Sequence, residues 1–518
     1  MLFESPSDRA FAIAISRLAH CNPFLPERMQ CEREALGEEF TELDVVWSVS
    51  KDWEGDRANI RRIQTRAESL SQQLRQRLAT GASPSDEDLR LYEDLAAYLL
   101  YYRVKRVFQE VVNGSVAKPR ERIAELYDQF GQDAAHFLAI PGVKLPSGYQ
   151  TPHLFAIFFQ IRRAFHHIFR NIVGSSMPAA RLRASIWQSI FTHDMARYRR
   201  LLFERMHDLT TLITGPSGTG KELVARAIAL STYIPFDAKN RAFADDFNDL
   251  FHPLNLSAMS PTLIESELFG HRRGAFTGAL EDRIGWLEAC QPLGTVFLDE
   301  IGELDPTIQV KLLRVLQTRT YQRLGDTRTR EFKGKIIAAT NRDLSKEMAS
   351  GRFRSDFYYR ICSDIIATPS LRDQLREASD DLRAMVLFIA RRITGEEEAE
   401  QLADEVDSWV ARHLGHNYPW PGNFRELEQC VRNVLIRHEY HPQAISSSDP
   451  GTQLVDAINA GKLTADDLLR RYCTLVYSRT RNLEETARRL ALDRRTVKSK
   501  VDPEILSAVR GVVEAIDD

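Results

Sequence analysis

The sequence predicts a multidomain chain that is mostly helical at its N-terminus, α/β in the middle and helical again at its C-terminus. Three observations carry that prediction. At 518 residues the chain exceeds one hydrophobic core, since a domain takes ~100–200 residues. Apolar residues keep helical spacing over the first third of the chain. Between about 183 and 368, short β-branched runs alternate with helical ones, which is how a parallel sheet covered by helices reads.

Residues 1–182 form the first predicted domain. Phe158, Ile161, Phe165, Ile168, Phe169 and Ile172 fall on one helical face, as do Leu91, Leu95, Leu99 and Tyr102. Ile60 to Leu78 reads as a polar helix rich in Arg and Gln. Turns such as Gly81-Ala82-Ser83-Pro84 and Pro141-Gly142 punctuate the segment. No strand alternates with these helices, which argues against a phosphorylatable receiver domain, because that fold needs a parallel sheet. His20, Cys21, Cys31, His153, His166 and His167 match no known metal-ligand spacing and read as core or surface residues.

Composition narrows the class. The hydrophobic fraction is 43% and the charged fraction 27%, as in an ordinary globular chain, and the net charge of −3 provides no global field for nucleic acid or membrane. Any nucleic-acid contact must therefore come from a local patch. Six scattered cysteines without C-x-x-C spacing fit a reducing compartment. The N-terminus lacks the basic and apolar regions of a signal peptide. The most apolar stretch, Leu154 to Val173, is interrupted by Arg162, Arg163 and Arg170, so it reads as a buried helix and not a membrane span. The expected location is cytoplasmic, with no membrane partner.

In the α/β segment, Leu209–Thr214, Thr295–Leu298 and Lys335–Ala339 read as buried parallel strands. Gly215-Pro216-Ser217-Gly218-Thr219-Gly220-Lys221 follows the first of them and precedes the helical run Glu222–Leu230. Glycines there let backbone N–H groups turn toward phosphates, the helix N-terminus adds positive potential, and Lys221 reaches the β- and γ-phosphates. The residue after the lysine is Glu222, so the customary hydroxyl ligand for Mg²⁺ is missing at that position. The strand Thr295–Leu298 ends in Asp299-Glu300, an acidic pair suited to holding Mg²⁺ and orienting an attacking water. The strand Lys335–Ala339 leads to Thr340-Asn341, a polar tip placed to sense a γ-phosphate. Arg354 and Arg360, six residues apart, could reach a neighbouring subunit's nucleotide. Arg425, in Trp420-Pro421-Gly422-Asn423-Phe424-Arg425, sits near a helix start and could touch phosphates from a lid. An arginine taken singly would more often be a surface ion pair; the argument rests on the set.

With these motifs assembled, residues ~183–437, about half the chain, resemble the AAA+ domain of the bacterial enhancer-binding proteins, the activators of sigma-54 RNA polymerase. The most specific match is Glu265-Ser266-Glu267-Leu268-Phe269-Gly270-His271 followed by Gly274-Ala275-Phe276-Thr277-Gly278-Ala279, the family's GAFTGA signature. As a loop of small residues with one exposed aromatic and one hydroxyl, the hexapeptide suits a mobile contact tip. The resemblance implies an AAA+ P-loop ATPase core at 183–368, a helical lid at 369–440, ATP and Mg²⁺ as cofactors, and sigma-54 contact through the GAFTGA loop, chiefly Phe276 and Thr277. It implies that Gly215 to Lys221, Glu222, Asn341 and Arg425 bind the nucleotide, that Asp299 positions Mg²⁺, and that Glu300 activates water. Asn255 matches the residue that couples this glutamate to the nucleotide state, and Arg354 and Arg360 match fingers acting in trans. Fingers in trans imply a ring, usually a hexamer in this family. The family tolerates glutamate after the P-loop lysine. Two departures stand out: a long segment from Tyr233 to Phe251, expected as an exposed loop, and a lid entry reading Pro369-Ser370-Leu371-Arg372-Asp373-Gln374.

Residues 441–455, with Pro442, Ser446–Ser448 and Pro450, read as a linker. Residues 456–518 resemble a Fis-type helix-turn-helix, with Leu483–Leu490 as first helix, Ala491-Leu492-Asp493 as turn and Arg494–Val501 as recognition helix. Arg479 to Lys500 contains eight basic and three acidic residues, a local positive patch. Arg494, Arg495, Thr496, Lys498 and Lys500 are the expected contacts to double-stranded DNA at upstream sites, presented by a dimer to paired half-sites. Residues 1–182 occupy the place of an input domain, for a signal or partner that the sequence does not name. The expected function is a sigma-54-dependent activator that couples ATP hydrolysis to remodelling of the closed promoter complex. The alternative is an AAA+ DNA-binding regulator that acts by site occupancy without engaging sigma-54.

Overall fold

The computed structural model describes residues 2–42, 58–245, 250–257, 259–415, 417–442, 463–502 and a few isolated positions beyond 453. The chain divides into two compact units, Met1–His438 and Glu439–Asp518.

The first unit opens with seven helices: α1 (Pro6–His20), α2 (Glu27–Leu36), α3 (Ala58–Ala79), α4 (Asp86–Val112), α5 (Pro119–Leu138), α6 (Thr151–Asn171) and α7 (Met177–Phe191). Local chemistry sets several starts. Ser5, Ser85 and Ser176 accept backbone amides at the N-termini of α1, α4 and α7, and prolines occupy the first turns of α1, α5, α6 and α7. The polar helix α3 buries a single stripe, Ile60, Ile63, Ala67, Leu70, Leu74 and Leu78. The expected boundary between residues 182 and 183 falls inside α7.

After a short helical turn α8 (Met195–Arg197) comes the α/β core: β1 (Thr211–Thr214), α9 (Lys221–Ala229), β2 (Phe236–Asp237), β3 (Ala242–Phe243), β4 (Phe251–Asn255), α10 (Pro261–Phe269), α11 (Trp286–Ala289), β5 (Thr295–Asp299), α12 (Pro306–Thr318), β6 (Thr320–Tyr321), β7 (Arg330–Glu331), β8 (Lys335–Thr340), α13 (Leu344–Ala349), α14 (Ser355–Ile361) and β9 (Asp364–Ala367). Five strands form one sheet in the order β4-β5-β8-β1-β9, all parallel, as the sequence predicts. Alternate residues feed opposite faces. Ile213, Phe297, Ile337, Ala339 and Ile366 join a core with Val224 and Ile228 of α9 and with Phe155, Phe159, Trp187 and Phe191 of α6 and α7. Leu212, Leu254, Val296, Leu298, Ile336 and Ala338 join a second core with Ile308 and Leu312 of α12 and Phe357 of α14. The N-terminal helices thus supply part of the cover for one face of the sheet.

The segment Tyr233 to Phe251 is not the exposed loop that its length suggests. Its hairpin β2–β3 docks on α5 and α6: Phe236 lies 4.5 Å from Tyr127 and 4.9 Å from Phe155, and Phe243 stacks 4.3 Å from Phe159. Burying these rings offsets part of the cost of ordering the hairpin, since a fully buried aromatic contributes ~1.5–3 kcal/mol. Residues 246–249 of the segment lie outside the described residues.

Four helices follow, α15 (Leu371–Glu377), α16 (Asp381–Thr394), α17 (Glu396–His413) and α18 (Asn423–Arg437), where the sequence places the lid. In the unusual lid entry, Ser370 caps α15 and Leu371 and Gln374 are buried. The expected linker lies largely outside the described residues. The second unit contains α19 (Ala465–Thr480), α20 (Leu483–Leu490) and α21 (Arg494–Lys500), the last two at the predicted helix-turn-helix positions.

Candidate functional site

The parallel register brings the functional residues to the carboxyl ends of the strands, where ligands bind in open α/β sheets. Asn255 faces Asp299 across β4 and β5, and Thr214 faces both Thr340 and Ala367. Between β1 and α9 the loop Gly215 to Gly220 turns through three glycines with positive φ, at 145°, 77° and 84° for Gly215, Gly218 and Gly220. Two of them also have no room for a side chain. A Cβ on Gly215 would lie 2.1 Å from Thr368 Oγ1, and one on Gly218 would lie 2.3 Å from the Gly422 carbonyl. The first amides of α9 have no partner inside the helix, which leaves an anion cradle.

Lys221 is only 7% exposed, and its ammonium donates to the carbonyls of Gly215 at 3.1 Å and Pro216 at 3.2 Å. Burial lowers its pKa from the usual lysine value, against the opposing pull of Glu300 and Asp299. Burial, and then the neighbouring Glu300, push the Asp299 carboxyl up. Glu300 sits in the left-handed region at φ 57°, and its carboxylate accepts the Asn341 amide at 3.2 Å. An ammonium, a half-buried carboxylate and a second carboxylate around a phosphate cradle fit a nucleotide, and Asp299 is the carboxylate that could hold its metal ion.

Other expected site residues stand elsewhere. Asn255 does not reach the Glu300 carboxylate: its Oδ1 accepts the amide and hydroxyl of Ser257 at 3.0 and 2.8 Å. Glu222 pairs with Arg226 one turn along α9, at 3.5 Å. Arg354 is exposed at the start of α14 and pairs with Asp356 at 2.7 Å, whereas Arg360 donates to the Leu316 carbonyl.

The lid closes onto the loop through the start of α18. Arg425 donates to Ser217 Oγ at 3.0 Å, and the Phe424 amide donates to the Gly218 carbonyl at 2.9 Å. Sequence reasoning missed Asn423. In a left-handed conformation, it donates to the Ser217 carbonyl at 2.9 Å and accepts the Leu371 amide at 2.9 Å, tying the loop to α15 and α18. Its place after Pro-Gly, where asparagine tolerates positive φ, was the available signal. Thr368 was missed too: its hydroxyl lies 2.6 Å from that of Thr219 and donates to the Thr214 carbonyl.

The loop Gly274 to Ala279 closes on itself, with the Gly274 amide donating to Ala279 at 2.8 Å and the Ala279 amide to Phe276 at 3.0 Å. Thr277 is exposed, as expected. Phe276 is half-buried instead of exposed, because its ring packs edge-on at 5.0 Å against His271, itself bonded to Ser266 Oγ at 2.7 Å. A second hairpin, β6–β7, braces this loop: the Arg272 amide donates to the Leu324 carbonyl at 2.9 Å, and Arg272 pairs with Asp282.

In the second unit, Asp493 caps α21 by accepting the amides of Arg495 and Thr496 at 2.6 and 3.1 Å. Arg494, Arg495 and Lys498 are exposed. Three of the expected contact residues are engaged: Thr496 donates its hydroxyl to Asp493, Lys500 pairs with Asp466, and Arg494 pairs with Glu484 at 3.1 Å. Among the described residues no group of three or more His, Cys, Asp or Glu could hold a metal, and no helix is long and apolar enough to cross a membrane. His153, for example, bonds to the Tyr233 hydroxyl and the Arg199 carbonyl.

Residues 192–366 match the family described as Sigma-54 interaction domain. The chain is 38% identical over 304 residues to the transcriptional regulatory protein ZraR of Klebsiella oxytoca, an overlap of 57% of this chain and 63% of the relative. It is 42% identical over 230 residues to the Nif-specific regulatory protein of Azotobacter vinelandii, covering 44% of this chain and 40% of the relative. It is 43% identical over 229 residues to the anaerobic nitric oxide reductase transcription regulator NorR of Escherichia fergusonii, covering 44% and 42%. The chain therefore spans less than two thirds of the length of these relatives. The P-loop, the acidic strand end and the GAFTGA loop all fall within the segment that matches the sigma-54 interaction domain family.

Proposed function

We propose that this protein is a sigma-54-dependent transcriptional activator, an ATPase that binds upstream DNA and remodels the closed RNA polymerase promoter complex. The observation that carries the reading is the GAFTGA loop, Thr277 exposed at its tip, on the same α/β core that gathers Lys221, Asp299 and Glu300.

In this reading Lys221 leaves the loop carbonyls for the β- and γ-phosphates, and the backbone amides of the P-loop cradle them. Asp299 would hold Mg²⁺, which neutralises phosphate charge when bound. Glu300 takes a proton from the attacking water as its oxygen bonds the γ-phosphorus and the bond to the β-phosphate oxygen breaks. Arg425 reads the phosphates from the lid, and Asn341 links the third strand end to Glu300. Arg354 and Arg360 act on a neighbouring subunit's nucleotide, which requires a ring. Arg495 and Lys498 contact DNA from α21, with Arg494, Thr496 and Lys500 joining when their acid partners let go.

The test is ATP-dependent open-complex formation by sigma-54 RNA polymerase with the purified full chain at high concentration. Opening establishes the activator. ATP hydrolysis without opening replaces it with a regulator acting by DNA occupancy.

A further inference from the structure

Gln309, in the first turn of α12, has no exposed surface, and its side-chain amide bonds to backbone on both sides. Its Nε2 donates to the Leu304 carbonyl at 2.8 Å and to the Arg352 carbonyl at 3.0 Å. Its Oε1 accepts the Arg354 amide at 2.9 Å. Two carbonyls on one side and an N–H on the other fix the orientation of the group, since a flipped amide would set oxygen against oxygen.

The three partners belong to two segments that hydrolysis in a ring has to coordinate. Leu304 ends the short turn that follows Glu300, whose carboxylate accepts the Asn341 amide, so this segment belongs to the chain's own nucleotide site. Arg352 and Arg354 flank Phe353 at the entry to α14, where the exposed Arg354 guanidinium pairs with Asp356. Phe353 and Phe357 share a core with Ile308 and Leu312 of α12, and the same helix holds Arg360 through the Leu316 carbonyl at 3.2 and 3.3 Å. A second connection runs through ion pairs: Arg342 with Glu303 and, at 3.8 Å, with Glu347, and Arg352 with Glu347 at 2.7 Å. With the Arg342 and Arg352 side chains 36% and 65% exposed, water screens those pairs. The buried amide is the stiffer link, because no solvent replaces a partner lost in the interior.

We propose that Gln309 is a positioning residue for hydrolysis in trans, setting Arg354 for a neighbouring subunit's γ-phosphate and tying that setting to the segment after Glu300 in its own site. The proposal rests on the reading above that Arg354 acts on a neighbour's nucleotide. A movement of Glu300 toward its own nucleotide is carried through Leu304 and the Gln309 amide to the backbone on either side of Phe353. Each subunit's nucleotide thereby adjusts the finger that the subunit offers next door.

The experiment measures ATP turnover by full-chain variants, alone and in equimolar mixtures, with melting temperatures recorded alongside. Gln309→Met has a similar volume and cannot donate to the two carbonyls; it should lower kcat by about tenfold or more and keep KM for ATP within about twofold. Mixing it with Lys221→Ala should give at least about threefold the sum of the separate rates, because the Lys221→Ala subunit still offers a well-set Arg354 to its neighbour's nucleotide. Arg354→Ala mixed with Lys221→Ala is the control for action in trans and should be restored likewise. Gln309→Glu, which keeps an acceptor for the Arg354 amide and gives up both donations, takes the place of Gln309→Met if that chain melts below the assay temperature. Wild-type kcat in a folded Gln309 variant overturns the proposal, as does a loss that appears in KM alone. Rescue of Arg354→Ala without rescue of the Gln309 variant also overturns it, and leaves the finger reading intact. Rescue of neither removes the finger in trans, and the proposal with it.

Discussion

Lys221 has two sets of partners to choose between, loop carbonyls or phosphates, and its removal leaves the cradle without its cation. Lys221→Ala should reduce ATP turnover by at least about a hundredfold in a phosphate-release assay, and normal turnover would displace the site from this loop. Thr277, exposed at a loop tip remote in sequence from the strand ends, should separate the two activities: Thr277→Ala keeps hydrolysis within about twofold and loses promoter opening. Asp299 sets a pH limit. Because burial and Glu300 raise its pKa, protons compete for it at a higher pH than for an ordinary carboxyl, so Mg²⁺ affinity in a titration should fall as pH is lowered. His166 bears on stability. Burial, then Arg170 and Arg162, lower its pKa to about 4. Above pH ~6.5 both folded and unfolded chains hold it neutral; as pH falls toward 4 the unfolded chain takes a proton that the fold refuses, costing up to about 3 kcal/mol. Melting of the full chain should drop between pH 7 and 5, and His166→Gln should flatten that slope. At this scale the contiguous motifs were legible, since Gly215 to Lys221 and Asp299-Glu300 follow their strands directly. Asn423 and Thr368 were not, because their contacts to the loop cross more than a hundred residues of sequence. Nor was the turned-down Phe276 ring, whose partner His271 declares itself only once the loop closes.

Elements show where pattern reading ended. The strands β5 and β8 were legible from their β-branched runs, and the helices α20 and α21 from the resemblance to a Fis-type helix-turn-helix. The hairpin β2–β3 was misread, because two-residue strands leave no period and its aromatic rings look like loop residues until α6 is beside them. The same limit hid the seam at α9. Arg163 has no exposed surface, and it and Gln160 serve the carbonyls that follow that helix. Arg163→Met should strand these carbonyls and cost about 2–4 kcal/mol by urea denaturation, with ATP affinity falling as the P-loop helix loosens. Unchanged stability would mean that water replaces the guanidinium at no cost.

For the whole molecule, how the N-terminal helices join the α/β segment was not legible. An apolar helix such as α6 is the same in sequence whether it faces its own bundle or a neighbouring sheet. Here it does both, and α7 covers the sheet beside it. A chain beginning at residue 192, where the family match starts, should therefore melt well below the full chain or aggregate, having lost Phe155, Phe159, Trp187 and Phe191 from the cover of β1, β5, β8 and β9. A truncated chain as stable as the full one would show that the helices merely rest on the core.

The lid is tied to the same block. The Asp381 carboxylate at the start of α16 accepts the amides of Ser175 at 2.6 Å and Ser176 at 3.1 Å, in the turn between α6 and α7. One short peptide thus anchors a lid helix, while the helix before it anchors the far end of the P-loop helix. For protein engineering this makes the N-terminal helical block non-interchangeable. A foreign sensor grafted ahead of the ATPase would have to bring its own equivalents of residues 151–191, so workable chimaeras should splice before Thr151 and leave that clamp intact.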